Sequence, residues 1–170
     1  MPVDDVLVLD VADLLQRPGR RRRAVLDAWL DHVATTVAGV PGGEPVHLDL
    51  DLQSVNHGIV VTGAASTPWV GECGRCLRKV GGRLQVPIRE LYEERPTEGE
   101  TQPLHQARID VAPVVREAVL LELPQAPLCS PACAGLCPRC GADRNEGPCG
   151  CPSPEPDPRW SVLDELRLDE

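Results

Sequence analysis

Eight cysteines fall in four close pairs along the chain: Cys73 with Cys76, Cys129 with Cys133, Cys137 with Cys140, and Cys149 with Cys151. Six of them crowd the stretch LCSPACAGLCPRCGADRNEGPCGC, from Leu128 to Cys151. Each pair has a spacing at which two thiolates reach one ion, because a knuckle of the CPxCG type turns both sulfurs inward and its glycine permits the turn. Two ions with four sulfurs each use all eight ligands. The loop GADRNEGP has the length of a compact knuckle, so Cys137 and Cys140 are expected to join Cys149 and Cys151. Elimination leaves Cys73 and Cys76 to meet Cys129 and Cys133, although spacing alone does not fix pairing. A single ion, with one set of cysteines free, stays open.

Four thiolates make a soft, closed, tetrahedral site that suits zinc or an iron-sulfur cluster better than a hard cation. Zinc in such a site is structural, since no His or carboxylate stands in the ligand pattern with a vacant position for water. Its binding is worth roughly 10 to 16 kcal/mol in zinc-finger peptides, the scale of a whole domain's stability. The chain has no phenylalanine, one tyrosine and three tryptophans, so its core rests on Val, Leu, Ile and Ala, and the metal is expected to support it. Redox catalysis is the other use of CxxC. A thioredoxin-like pair opens a helix after a strand, whereas Cys73 and Cys76 join two strands and Cys137 and Cys140 lie among other cysteines.

The first thirty residues are charged throughout and hold no apolar run of signal-peptide length, so a cytoplasmic protein is expected, without membrane contact. In that reducing compartment a disulfide framework is disfavoured. At a formal net charge of -9, the chain as a whole repels nucleic acid. The basic run RPGRRRR, Arg17 to Arg23, has Asp10, Asp13 and Asp27 nearby and reads as a solvated charge run. No phosphate-cradling glycine loop, HExxH or GxSxG is present. The expectation is a non-enzymatic protein with no small-molecule substrate.

Periodicity predicts an α+β fold: an antiparallel β-sheet domain with a helix leading into a C-terminal cysteine-rich zinc-knuckle lobe. Residues 6 to 15 read as a strand running into a short helical turn. In 24–40, Val25, Trp29 and Val33 recur at helical spacing, while Thr35, Thr36, Val37 and Val40 favour extended backbone. Val46, Leu48, Leu50 and Leu52 alternate with polar residues, and IVVTGAA follows a VNHG turn, so 46–64 reads as an antiparallel hairpin. A third strand passes Trp69 into CGRC, and a fourth carries Leu84, Val86 and Ile88 on one face, with Pro87 implying an edge or bulge. The first CxxC thus sits in a tight hairpin connection.

These readings divide the chain into a β-rich region over 1–92, an acidic linker over 93–108, a helix plus metal lobe over 109–151, and a Pro-rich linker with a short amphipathic helix over 152–170. The helix is expected to have Asp110 as N-cap and a stripe of Val111, Val115, Ala118 and Leu121. The terminal helix would present Trp160, Leu163 and Leu166.

GECGRCL, Gly71 to Leu77, and the long stretch from Ile109 to Cys151 resemble the signature of the YceD-like large ribosomal RNA subunit accumulation proteins. Asp110, Pro113, Arg116, Glu117, Leu120, Leu121 and Pro124 fall where that pattern places them. So do Gly135, Leu136, Pro138, Gly141, Asn145 and the six cysteines from Cys129 onward. The resemblance extends loosely to LDLQSVNHGIVVTG and covers most of the chain. It implies a bacterial or plastid role in the synthesis, processing or stability of large-subunit ribosomal RNA, without a known catalytic activity.

The chain lacks the aromatic residues of a base-stacking platform. Arg75, Arg78, Lys79, Arg139 and Arg144 surround the knuckles, however, and would form a local phosphate-binding patch if the metal sites gather them on one face. The expected partner is large-subunit ribosomal RNA or a ribosome assembly protein. A protein-binding adaptor with no RNA contact, or a thiol redox sensor, are the competing functions.

Overall fold

The computed structural model describes residues 7–152 and 159. It is mostly β-sheet with few helices. Strand β1 (Val8–Asp10) and the short helix α1 (Ala12–Leu15) come first, followed by β2 (Arg21–Ala28), β3 (Ala38–Gly39), β4 (Val46–Val55), β5 (Gly58–Glu72) and β6 (Lys79–Glu93). Then come β7 (Gln102–His105), β8 (Arg108–Asp110) and helix α2 (Ala112–Glu122). The sheet order is β1-β8-β7-β6-β5-β4-β2, with β3 beside β5. Every pairing is antiparallel except β6 with β7, which meet at Tyr92 and Glu93.

Alternation in β4 dictates its two faces: Val46, Leu48, Leu50 and Leu52 are fully buried, while His47 and Asp51 stay exposed. The buried face continues across β5 through Ile59, Val61 and Ala65, and across β6 through Leu84, Val86, Ile88 and Tyr92. Val114, Val115 and Val119 of α2, with Val11 and Leu14 near α1, complete this core. The sequence stripe over α2 needs correction at one end. Leu121 is 75% exposed, and Val119 takes the inward position. The helix also starts one residue later than expected, with Val111 at the N-cap; Asp110 accepts the Ala112 amide through its side chain, 2.9 Å away.

Helical spacing in 24–40 is overruled. Residues 21–28 form β2, whose Ala24, Leu26 and Ala28 face inward against β4 while Val25 is 57% exposed. Val25 and Trp29 therefore do not share a buried helical face with Val33. The basic run at the start of β2 is paired with carboxylates: Arg22 reaches Asp13 at 2.7 Å, and Arg23 meets Asp49 of β4. The 93–108 stretch is a loop only in its first part, since β7 and the start of β8 belong to the sheet. Pro87 pairs with Ala64 of β5, and β7 does not reach its other side, so no ladder bond is lost there. The expected terminal helix with Trp160, Leu163 and Leu166 lies outside the described residues.

The β5–β6 hairpin positions the site. Its register runs from Gly58↔Glu93 to Glu72↔Lys79, a ribbon about 50 Å long at ordinary strand rise. Only its base and middle enter the main core. Its far end projects beyond the core, with Val70 52% exposed, and the first CxxC closes its tip.

Candidate metal centres

At that tip, the Cys73 amide donates to the Arg78 carbonyl (2.8 Å) and the Leu77 amide to the Cys73 carbonyl (2.9 Å), a tight turn that directs both sulfurs to one side. After α2 the chain passes Pro127, whose carbonyl accepts the Gly74 amide at 2.9 Å and docks the following segment onto the turn. Cys129 and Cys133 thereby meet Cys73 and Cys76. The Cys73 and Cys133 sulfurs are 3.8 Å apart and those of Cys76 and Cys129 3.6 Å apart. A second tetrad is formed by Cys137, Cys140, Cys149 and Cys151, and in each tetrad all four sulfurs lie within 4.8 Å of one another. All eight cysteines are free of disulfides.

A tetrahedral ion with bonds of about 2.3 Å to sulfur requires sulfur separations of about 3.8 Å. Two separations in the first tetrad match that spacing, and its donor set is soft. The two tetrads can each hold a metal ion. Cys73, Cys76 and Cys133 are buried and form, with Val80 and Leu136, a small apolar cluster separate from the main core. In the second tetrad Cys137 is buried and Cys140 and Cys149 are exposed.

Backbone amides prepare the thiolates. Those of Cys76 and Cys129 hold Cys73 down to about 6, and those of Cys140 and Arg139 do the same for Cys137. Cys129 and Cys151 are pushed up to about 12 by hydrogen bonding to neighbouring sulfurs. In each tetrad, then, one sulfur is favoured as thiolate and another as thiol, because sulfurs this close do not all ionise without a cation between them.

The five cations expected to form a patch separate into two groups. Arg75 donates to the Cys133 carbonyl at 2.9 Å, and Arg78 pairs with Asp143 at 2.8 Å and Glu146 at 3.8 Å. Both are tied into the lobe. Lys79, Arg139 and Arg144 are exposed and make no ion pair among the described residues. Arg139 and Arg144 line one groove beside the second tetrad, bounded by Pro138, Pro148 and Pro152.

Sequence reasoning gave no role to Asp143 and placed Asn145 only within a family pattern. Asn145 donates its side-chain amide to the Cys133 sulfur at 3.5 Å and accepts the Ala134 amide at 2.8 Å. The signal lay in the GADRN loop itself, where Asp and Asn favour turns that aim their side chains at nearby backbone. Gly135 is required where it stands. Its φ is +70°, and a side-chain carbon there would sit 3.1 Å from the Arg75 carbonyl oxygen.

These features define a β-sheet protein carrying two all-cysteine tetrads that can each hold a metal ion, one at a hairpin tip and one in the adjoining lobe. The family described as large ribosomal RNA subunit accumulation protein YceD matches residues 61–167, a span that takes in both tetrads, and the chain belongs to that family. An uncharacterised protein of Mycobacterium tuberculosis is 36% identical over 168 residues, covering 94% of this chain and 81% of that protein. One from Mycobacterium leprae is 32% identical over 170 residues, covering 94% and 77%. Large ribosomal RNA subunit accumulation protein YCED homolog 1, chloroplastic, of Arabidopsis thaliana is 25% identical over 168 residues, covering 79% of this chain and 52% of that protein. No solved structure matches. No helix among the described residues is long and apolar enough to cross a membrane.

Proposed function

We propose that this protein is a non-enzymatic factor that supports the accumulation of large-subunit ribosomal RNA, and that its tetrads hold structural zinc. The observation that carries the reading is the family match over 61–167, which spans both tetrads and the exposed cations beside them. Drawn within 4.8 Å, each set of sulfurs fits a single ion. A cluster of several irons would hold its ligand sulfurs farther apart. Four cysteine ligands complete each set, and no His or carboxylate joins them among the described residues, so the ion organises the lobe and does not activate water.

RNA contact is assigned to Lys79, Arg139 and Arg144, the cations of the original five with no carboxylate partner among the described residues. Such a patch positions phosphates and reads no sequence. No aromatic residue lines the groove of Arg139 and Arg144 among the described residues, which supports a phosphate-directed contact over base stacking.

Replacing Arg139→Glu and Arg144→Glu together is expected to weaken binding to large-subunit ribosomal RNA fragments about tenfold or more. The slope of log affinity against log salt should fall by about 2, one for each lost phosphate contact. Native mass should show the metal retained. Unchanged RNA affinity in the doubly reversed protein would remove the RNA-contact assignment. Absence of RNA binding by the unaltered protein would favour the adaptor reading, in which the net charge of -9 serves a basic protein partner.

A further inference from the structure

The tetrads differ in how they are assembled. The second draws all its ligands from residues 137–151, a local loop, whereas the first joins segments far apart in the chain and has to hold a hairpin tip against a separate lobe. The contacts between them converge on the loop separating Cys140 from Cys149. There the Asn145 side-chain amide donates to the Cys133 sulfur of the first tetrad at 3.5 Å. Its orientation is settled by its other atoms, since Oδ1 accepts the Ala134 amide at 2.8 Å and Nδ2 also donates to Asp143 Oδ1 at 2.6 Å.

Asp143 extends the link. Its Oδ1 accepts the Asn145 backbone amide at 2.9 Å, and its Oδ2 accepts Arg78, which stands two residues beyond Cys76, at 2.8 Å. The Arg144 amide donates to the Gly135 carbonyl at 2.9 Å, and Leu136 bridges Asp143 while its amide donates to the Arg75 carbonyl. One short loop of the second tetrad therefore supplies the outer contacts of the first.

We infer that Asn145 is a positioning residue that couples the two centres: an ion in the second tetrad fixes the 141–148 loop, and that loop completes the surroundings of the ion in the first. An N–H donor aimed at a metal-bound thiolate stabilises the ligand, and loss of such an outer contact typically costs 10- to 100-fold in metal affinity. Because coupling is reciprocal, an ion in the first tetrad tightens the second by the same factor. The inference rests on the reading of both tetrads as metal centres.

The test measures zinc affinity of each tetrad in the full chain, by chelator competition with native mass as the count of bound ions. Disabling the second tetrad with Cys149→Ser and Cys151→Ser should weaken the first about tenfold. Asn145→Ala keeps all eight ligands and should still bind two ions, with the first tetrad weakened by a similar factor. Adding Asn145→Ala to the disabled protein should then change the first tetrad little. Equal affinity of the first tetrad in unaltered and Asn145→Ala protein would overturn the role of Asn145. Two ions held with independent affinities would overturn the coupling while leaving the metal reading intact, whereas a chain that binds no zinc would remove both.

Discussion

Stripping the metal with a chelator is expected to erase backbone-amide protection over residues 73–78 and 129–151, while β4 and the 58–69 part of β5 keep theirs in the same hydrogen-exchange experiment. The reason is the separation of two apolar clusters. The main core, from Leu7 to Leu123, contains no cysteine, and the lobe's own cluster consists of Cys73, Cys76 and Cys133 with Val80 and Leu136 against them. So small a cluster cannot offset the backbone entropy of ordering the lobe, at about 1 to 2 kcal/mol per residue. Metal binding on the scale of roughly 10 to 16 kcal/mol in zinc-finger peptides can. The sequence-based expectation that the whole aromatic-poor core leans on the metal is therefore narrowed to the lobe and the hairpin tip. Melting of the sheet together with the lobe would count against this division, as would a lobe that stays protected without metal.

The second large effect is expected at Tyr92, the one aromatic side chain among the largest fully buried residues of the core. It lies on β6 where β5, β6 and β7 meet, opposite Ile59 and beside Gln102. Its hydroxyl donates to the Asp110 carbonyl at 3.2 Å, just before α2 begins, and burial pushes the phenol up so that it stays neutral. Tyr92→Ala should cost about 4 kcal/mol, because it removes the largest core volume and leaves a cavity beneath the start of α2. Tyr92→Phe should cost about 1 kcal/mol, the loss of one hydrogen bond with the ring retained. Denaturant unfolding measures both. A Tyr92→Ala protein within 1 kcal/mol of the original would mean that the core closes over the gap or that the ring is not packed as described.

Much of this architecture is legible in the residues, and the exceptions have physical causes. The hairpin of β4 and β5 is plain because Val46, Leu48, Leu50 and Leu52 contrast sharply with the His and Asp between them. In β2 the inward face is Ala24, Leu26 and Ala28, which gives little contrast, while Val25 and Trp29 sit four apart and imitate a helix. Strands β7 and β8 are too short to carry a pattern, and β7 exists through pairing on both sides, parallel to β6 a loop away and antiparallel to β8.

The cysteine pairs announce themselves by spacing, and the tetrads follow the grouping that loop length suggested. The basic residues do not declare their partners. Arg78 and Asp143 are 65 positions apart, so only the folded lobe reveals that Arg78 is neutralised and that Arg139 and Arg144 are left to face solvent.

The most direct test of this account is the metal content of the full chain purified without oxygen, by elemental analysis beside native mass, with thiol titration on the same sample. Two zinc ions per chain are expected, with eight protected thiols that become reactive together with metal release. One ion with four freely reactive thiols would contradict the two-centre scaffold, and iron in place of zinc would contradict the assignment of the metal.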